Sequence, residues 1–188
     1  MKTEAKKENI VLYVTRLAVT LLLITSVVAA ALAGVNSITA PAIAALNAEK
    51  TQKAIETVLP GGGELIEVPA VDAGVPYGKV YKGENGYAVE VTPGGFDNTI
   101  TMMVGVDNEG NVSGISIISH TETAGLGAVA AATTSAGEAF RAQFVGLNGT
   151  VSVTKDGGQV EAITSATITS RAVCDGVNAA LAAVAAIG

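Results

Sequence analysis

"GYAVEVTPGGFDNTITMMVGVDNEGNVSGISIIS", Gly86 to Ser119, is the stretch on which the fold turns. Tyr87, Val89 and Val91 alternate with Ala88, Glu90 and Thr92, the period-two pattern of a strand whose Tyr87 face is buried. "TITMMVGVD" and "VSGISIIS" follow. Turn residues separate the runs, Pro93-Gly94-Gly95 first and then Asn108-Glu109-Gly110-Asn111. Runs and turns together predict a three-strand β-meander.

Downstream of the strands the period changes. "SAGEAFRAQF" carries Ser135 and, three residues on, Glu138, a capping box, with Phe140 and Phe144 on one helix face. "TVSVTK", Thr150 to Lys155, reads as a last short strand. Val173, Val177, Leu181 and Val184 then mark the apolar face of a C-terminal helix, on which Cys174 packs as a core residue. Strands and helices are segregated along the chain, so the fold class is α+β.

Upstream, Glu64 to Gly86 is punctuated by Gly and Pro, with short possible strands. "TAPAIAALNAEKTQKAIETVLPGGG", Thr39 to Gly63, predicts a helix with Thr39 as N-cap, Pro41 in its first turn and a stop at Pro60. Before it, Leu17 to Val35 carries no charge, and Ile10 to Val14 extends the apolar run across Arg16. About 20 apolar residues span a bilayer. A basic start and the small residues of "AAALAG" also suit a signal peptide, but the run is longer than a usual signal core, which favours a retained anchor. Lys2, Lys6, Lys7 and Arg16 precede the core and place the N-terminus in the cytoplasm. The expected organisation is a cytoplasmic N-terminus (1–9), a transmembrane helix (10–35), a connecting helix (36–63) and an extracytoplasmic domain (64–188).

Composition excludes several function classes. The first 35 residues hold four basic and two acidic side chains, whereas the rest hold seven and fifteen, for −6 overall. An acidic domain lacks the basic patches that nucleic acid requires. One Cys and one His rule out an internal disulfide, thiolate metal sites and two-histidine zinc motifs. The chain has no dinucleotide fingerprint, phosphate loop, GxSxG or HExxH. His120 reads as a structural or surface histidine.

Two stretches concentrate chemistry. "EAITSATITSRAV", Glu161 to Val173, sets hydroxyls at Thr164, Ser165, Thr167 and Thr169 where the last helix begins. One hydroxyl, that of Thr164 or Ser165, suffices for an N-cap. The rest suit a phosphate site, because a helix start offers free N–H groups and a positive dipole end, and a threonine oxygen there can carry an esterified phosphate. The bland alternative is an over-provided cap. "HTETAGLG", His120 to Gly127, suits a cofactor rim, with Glu122 and Thr123 bonding a polar edge and Leu126 packing on a ring. Equally it is an ordinary loop with left-handed glycines at Gly125 and Gly127.

Together, "ETAGLG" and "TSATITSRAV", behind one N-terminal apolar helix, resemble the G subunit of Rnf-type electron transport complexes. "LAGVNSITAP", "VLPGG", "VGVDNEGNVSGISI", "FRAQFVG" and "AVCDGVNAA" extend the likeness over most of the chain. The resemblance implies an FMN-binding domain outside the membrane, with FMN held covalently by a phosphoester. The acceptor is the threonine ending a Ser/Thr-Gly-Ala-Thr motif, here Thr167 of Thr164-Ser165-Ala166-Thr167. It implies a flavin transferase that takes FMN from FAD with magnesium, and the family's acidic residue before the motif is Glu161. Two positions depart from the family's pattern: Ser165 stands for Gly and Ala124 for Pro. Lys155 and Arg171 are candidate charge partners of the phosphate or the flavin.

The expected function is electron relay by a membrane-anchored subunit, among membrane lipid and the other subunits of a complex linking ferredoxin and NAD+ to Na+ or H+ translocation. The alternatives are the C subunit of a sodium-translocating NADH:quinone reductase, which shares the flavin domain, a cofactor-free anchored module, and a threonine hydrolase. The last lacks a ready base.

Overall fold

The computed structural model describes residues 2–69 and 71–188, with side chains of the first helix from Ile10 onward. The chain divides into two compact units, one ending at Ala48 and the other spanning Glu49–Gly188. Helix α1 (Lys2–Val58) is continuous. Its segment Ile10–Val58 contains an 18-residue window of mean hydropathy 2.4 and is long and apolar enough to cross a membrane.

Thr39 is therefore not an N-cap. Its hydroxyl donates to the Val35 carbonyl one turn back, at 3.0 Å, and Pro41 lies inside the helix. Ala40, Ala42, Ala44 and Ala45 surround the proline, and alanine has the highest helix propensity. Inside a continuous helix the N–H groups that follow Thr39 already have carbonyl partners one turn back, so no cap is called for.

The second unit is built on an antiparallel sheet in the order β1 (Ile66–Val68), β2 (Val80–Gly83), β3 (Gly86–Val91), β4 (Thr101–Asp107) and β5 (Val112–Ser119). The predicted meander forms its last three strands. Val89 pairs with Val104, and Val104 with Ile115. β2 and β3 meet at the pair Gly83–Gly86. Gly86 has φ 142°, and a Cβ there would overlap the Val106 carbonyl, so only glycine allows this approach.

Both faces of the sheet are covered. Val89, Val91, Met102, Val104 and Val106 pack with Val173, Val177 and Val184 of the C-terminal helix α3 (Thr167–Ile187). Phe140 and Phe144 join this core edge to face, 5.4 Å between ring centroids. On the opposite face Ala88 and Met103 pack with Ala54, Ile55, Val58 and Leu59. Ala88 is therefore not solvent-facing, as simple alternation would have it. Each fully buried Val or Met contributes about 1.5–3 kcal/mol. α3 also passes the length and hydropathy test for a membrane span, but half of it is buried in the domain. It is a core helix.

Two smaller elements differ from expectation. Helix α2 (Ser135–Ala142) is capped by Thr134, whose hydroxyl accepts from Gly137 N at 3.4 Å, and Ser135 is its first residue. The start is displaced by one because Thr134 takes the extended backbone that a cap requires. Residues 150–155 form no strand. One parallel bridge, Val153–Val160, leads into a 3-10 helix, Thr154–Asp156. The Asn178 side chain satisfies Val151 instead, accepting from its N–H and donating to its carbonyl, both at 2.8 Å.

Candidate functional site

The site is assembled at the N-terminus of α3. Ala166 N donates to Ile163 O at 2.9 Å, closing a turn in which Ser165 has φ 61°. Ser165 is the non-glycine residue in the left-handed region among those described, at the position of a turn that favours glycine. The helix begins immediately afterwards. Its N-cap is Ala166, and no side-chain cap bond is present there.

Thr164 and Ser165 therefore do not cap the helix. A left-handed Ser165 and an Ala166 cap leave the first N–H groups of a 21-residue helix without a side-chain acceptor. Such a terminus carries roughly half a positive charge. Ser170 tightens the entry from within: its hydroxyl donates to Ala166 O at 3.0 Å and accepts from Ile163 N at 3.0 Å.

A cavity of about 290 Å³ opens at this terminus, lined by Glu122, Thr123, Leu126 and Gly127 on one side and Ser165 to Thr169 on the other. Its rim is apolar and open to solvent. Phe96 is 66 % exposed, Ile168 50 % and Leu126 40 %. Sequence reasoning named Leu126 but missed Phe96 and Ile168. Phe96 stood between a predicted turn and the next predicted strand and Ile168 in a helical run, and the signal was that neither belonged to a buried stripe.

Glu122 is 8 % exposed. Its Oε1 accepts from Phe96 N at 2.8 Å and Asp97 N at 3.4 Å, and its Oε2 accepts from the Thr169 hydroxyl at 2.5 Å. Both oxygens are thus engaged within the protein, and neither is a free edge on the cavity. Gly127 is not left-handed. It opens a 3-10 helix, Gly127–Ala131, and a Cβ there would overlap the Glu122 and Thr169 oxygens. Gly125 has φ 76°, as its loop position predicts.

The remaining candidates separate. Lys155, in the 3-10 helix Thr154–Asp156, donates from Nζ to Thr167 Oγ1 at 3.2 Å. Arg171 is committed elsewhere, its guanidinium donating twice to Asp156 at 2.7 Å. Arg171 holds the Asp156 carboxyl below its usual range, through the hydrogen bond first and the charge second. Thr164 and Gly125 line a different cavity, with Phe140, Gln143 and Glu161. Burial pushes the Cys174 thiol up to about 12, which suits an inert core position. Among the described residues no group of three or more His, Cys, Asp or Glu could hold a metal.

An α+β domain with an apolar-rimmed cavity ending at an uncapped helix start has the form of a phosphate-bearing cofactor domain. Residues 95–182 match the model of the FMN-binding domain family. Over 89 % of its length the chain is 34 % identical to the G subunit of the ion-translocating oxidoreductase complex of Methanosarcina acetivorans, covering 93 % of that protein. It is 33 % identical to the G subunit of the Na+-translocating ferredoxin:NAD+ oxidoreductase complex of Acetobacterium woodii, covering 95 % of each chain. A proton-translocating counterpart from Clostridium ljungdahlii is 38 % identical over half of each chain. The chain belongs to the family of G subunits of Rnf-type ion-translocating oxidoreductase complexes.

Proposed function

We propose that this chain is the membrane-anchored flavoprotein subunit of an Rnf-type complex, carrying FMN as a phosphoester on Thr167 and relaying electrons between other subunits. One observation carries the reading. Thr167 lines the cavity at the uncapped start of α3, and its hydroxyl accepts from the Lys155 ammonium at 3.2 Å. The residues present fit FMN. Unpaired N–H groups and a lysine suit its phosphate, and Phe96, Leu126 and Ile168 offer apolar surface to its ring.

FMN supplies the redox chemistry when bound, and the protein supplies tether, orientation and electrostatics. Attachment by a flavin transferase forms the bond between Thr167 Oγ1 and the flavin-side phosphorus of FAD. It breaks the pyrophosphate bond, so that AMP leaves and the hydroxyl proton is released. Lys155 and the α3 terminus would hold the resulting phosphodiester, which carries one negative charge.

Ion translocation and ferredoxin:NAD+ coupling come to this chain from its relatives' names, which include both Na+ and H+ forms. Lipid surrounds α1, and the basic residues at its start favour a cytoplasmic N-terminus and an extracytoplasmic flavin domain. A tether outside the cell prevents loss of the cofactor by dilution.

The test is in-gel flavin fluorescence after co-expression with a flavin transferase. The wild-type band should fluoresce after denaturation, and Thr167→Ala should be dark. A dark wild-type band, or a mutant as bright as wild type, overturns the assignment.

A further inference from the structure

The Glu122 carboxylate joins two parts of the chain that the sheet alone leaves apart. One is the loop between β3 and β4, which carries Phe96. The other is the first turn of α3, which carries Thr167, Ile168 and Thr169. Oε1 takes the Phe96 and Asp97 N–H groups and Oε2 takes the Thr169 hydroxyl. The arrangement has no slack. A Cβ on Gly95 would overlap Oε1, and a Cβ on Gly127 would overlap Oε2, so two glycines clear the space that the carboxylate fills. A carboxylate so buried stays only where donors replace its water, and three donors are supplied.

We infer that Glu122 is a positioning residue of the cofactor site, a latch that holds Phe96 and Ile168 as opposite rims of the cavity before any cofactor arrives. This rests on the flavin reading of the site above. Phe96 and Ile168 are largely exposed and are not fixed by packing of their own. The backbone of each is held instead: Phe96 directly by Oε1, and Ile168 through the adjacent Thr169. The β3–β4 loop has further ties. Gly95 N donates to Asn98 O at 2.7 Å and Ile100 N to Pro93 O at 2.9 Å, so the loop stays closed as a unit when the latch is cut. What the latch sets is where that unit sits against α3. A seat held in place in advance does not have to be ordered at the moment of binding.

The experiment uses the full chain in detergent, as wild type, Glu122→Ala, Thr169→Val and Thr169→Ser. Thr169→Val keeps the buried volume and removes one latch bond, so it stays folded even if Glu122→Ala does not. Two readouts are taken. In chains made without a flavin transferase, hydrogen exchange at the Phe96 and Asp97 amides should be at least tenfold faster than in wild type in Glu122→Ala, which removes their acceptor, and measurably faster in Thr169→Val, which leaves Oε1 in place but frees the carboxylate from α3. Amides in β4 should be unchanged, and Thr169→Ser should match wild type. In flavinylated chains, iodide quenching of flavin fluorescence, normalised to the flavin attached as read by in-gel fluorescence after denaturation, should rise several-fold in the same two variants. Unchanged amide exchange together with unchanged quenching overturns the latch. So does loss of protection that extends equally into β4, because that marks general destabilisation. A dark wild-type gel band overturns the flavin reading instead, and the exchange data still decide whether Glu122 fixes the loop.

Discussion

Ser165 is held at φ 61° in the turn that delivers the chain into α3. For a residue with a Cβ the left-handed region costs about 1–2 kcal/mol, and Ser lacks the side-chain amide that eases Asn into it. Glycine removes this strain and returns part of the gain as greater freedom of the unfolded chain. Ser165→Gly should therefore stabilise the domain by about 0.5–1 kcal/mol, a rise of roughly 2–4 °C in Tm for a domain of this size. Calorimetry of the full chain in detergent checks it, and a fall in Tm contradicts the strain argument. The same substitution should raise flavin attachment at a fixed transferase level, because relief of strain lets the turn adjust when the enzyme engages Thr167. Densitometry of in-gel fluorescence over a time course measures that rate.

Between elements, the decisive contact is the end of α1 against the sheet. Ser113 Oγ donates to the Val58 carbonyl at 2.6 Å, satisfying one of the carbonyls that a helix end leaves open. Gly105 lies directly beneath, and a Cβ there would overlap both the Val58 carbonyl and the Ser113 hydroxyl. Gly105→Ala should cost about 1–3 kcal/mol as overpacking against backbone, and a lower urea midpoint with an unchanged slope would show it. This contact also marks where the sequence stopped being legible. The last three strands and the α3 stripe followed from period two and period 3.6, because burial on one side writes itself into the pattern. Coverage of the second face did not. It depends on Gly105, Gly114 and Ala88, small residues whose role is to make room. At the site, Thr167, Leu126 and the "ETAGLG" loop stood out because hydroxyls and glycines are conspicuous. The Glu122 latch was hidden, since its partners are backbone N–H groups 25 and 26 residues away and a hydroxyl 47 residues away. No local period encodes such a contact.

For the whole molecule, the question is which part of the chain carries which duty. The buried clusters draw on residues from Ala54 onward, and the unit from Glu49 to Gly188 is compact by itself. The side chains from Ile10 to Ala48 are exposed in the protein alone, and they are predominantly apolar, a surface that water does not tolerate at that length. The two units thus divide folding from anchoring. A chain starting at Glu49 retains the last turns of α1, with Ala54, Ile55 and Val58 to cover the second sheet face. It should be soluble without detergent, and its cooperative thermal transition should lie within a few degrees of that of the full chain. It should also accept FMN on Thr167 from a transferase in solution. Starting instead after Leu59 removes that cover and exposes Ala88 and Met103, so this shorter chain should aggregate or melt far lower. Ultracentrifugation and thermal melting of the two truncations separate the cases. If the Glu49 chain precipitates while the full chain in detergent melts cooperatively, the domain boundary at Ala48 is wrong and α1 is part of the core. If both truncations behave alike, the covering role of Ile55 and Val58 fails.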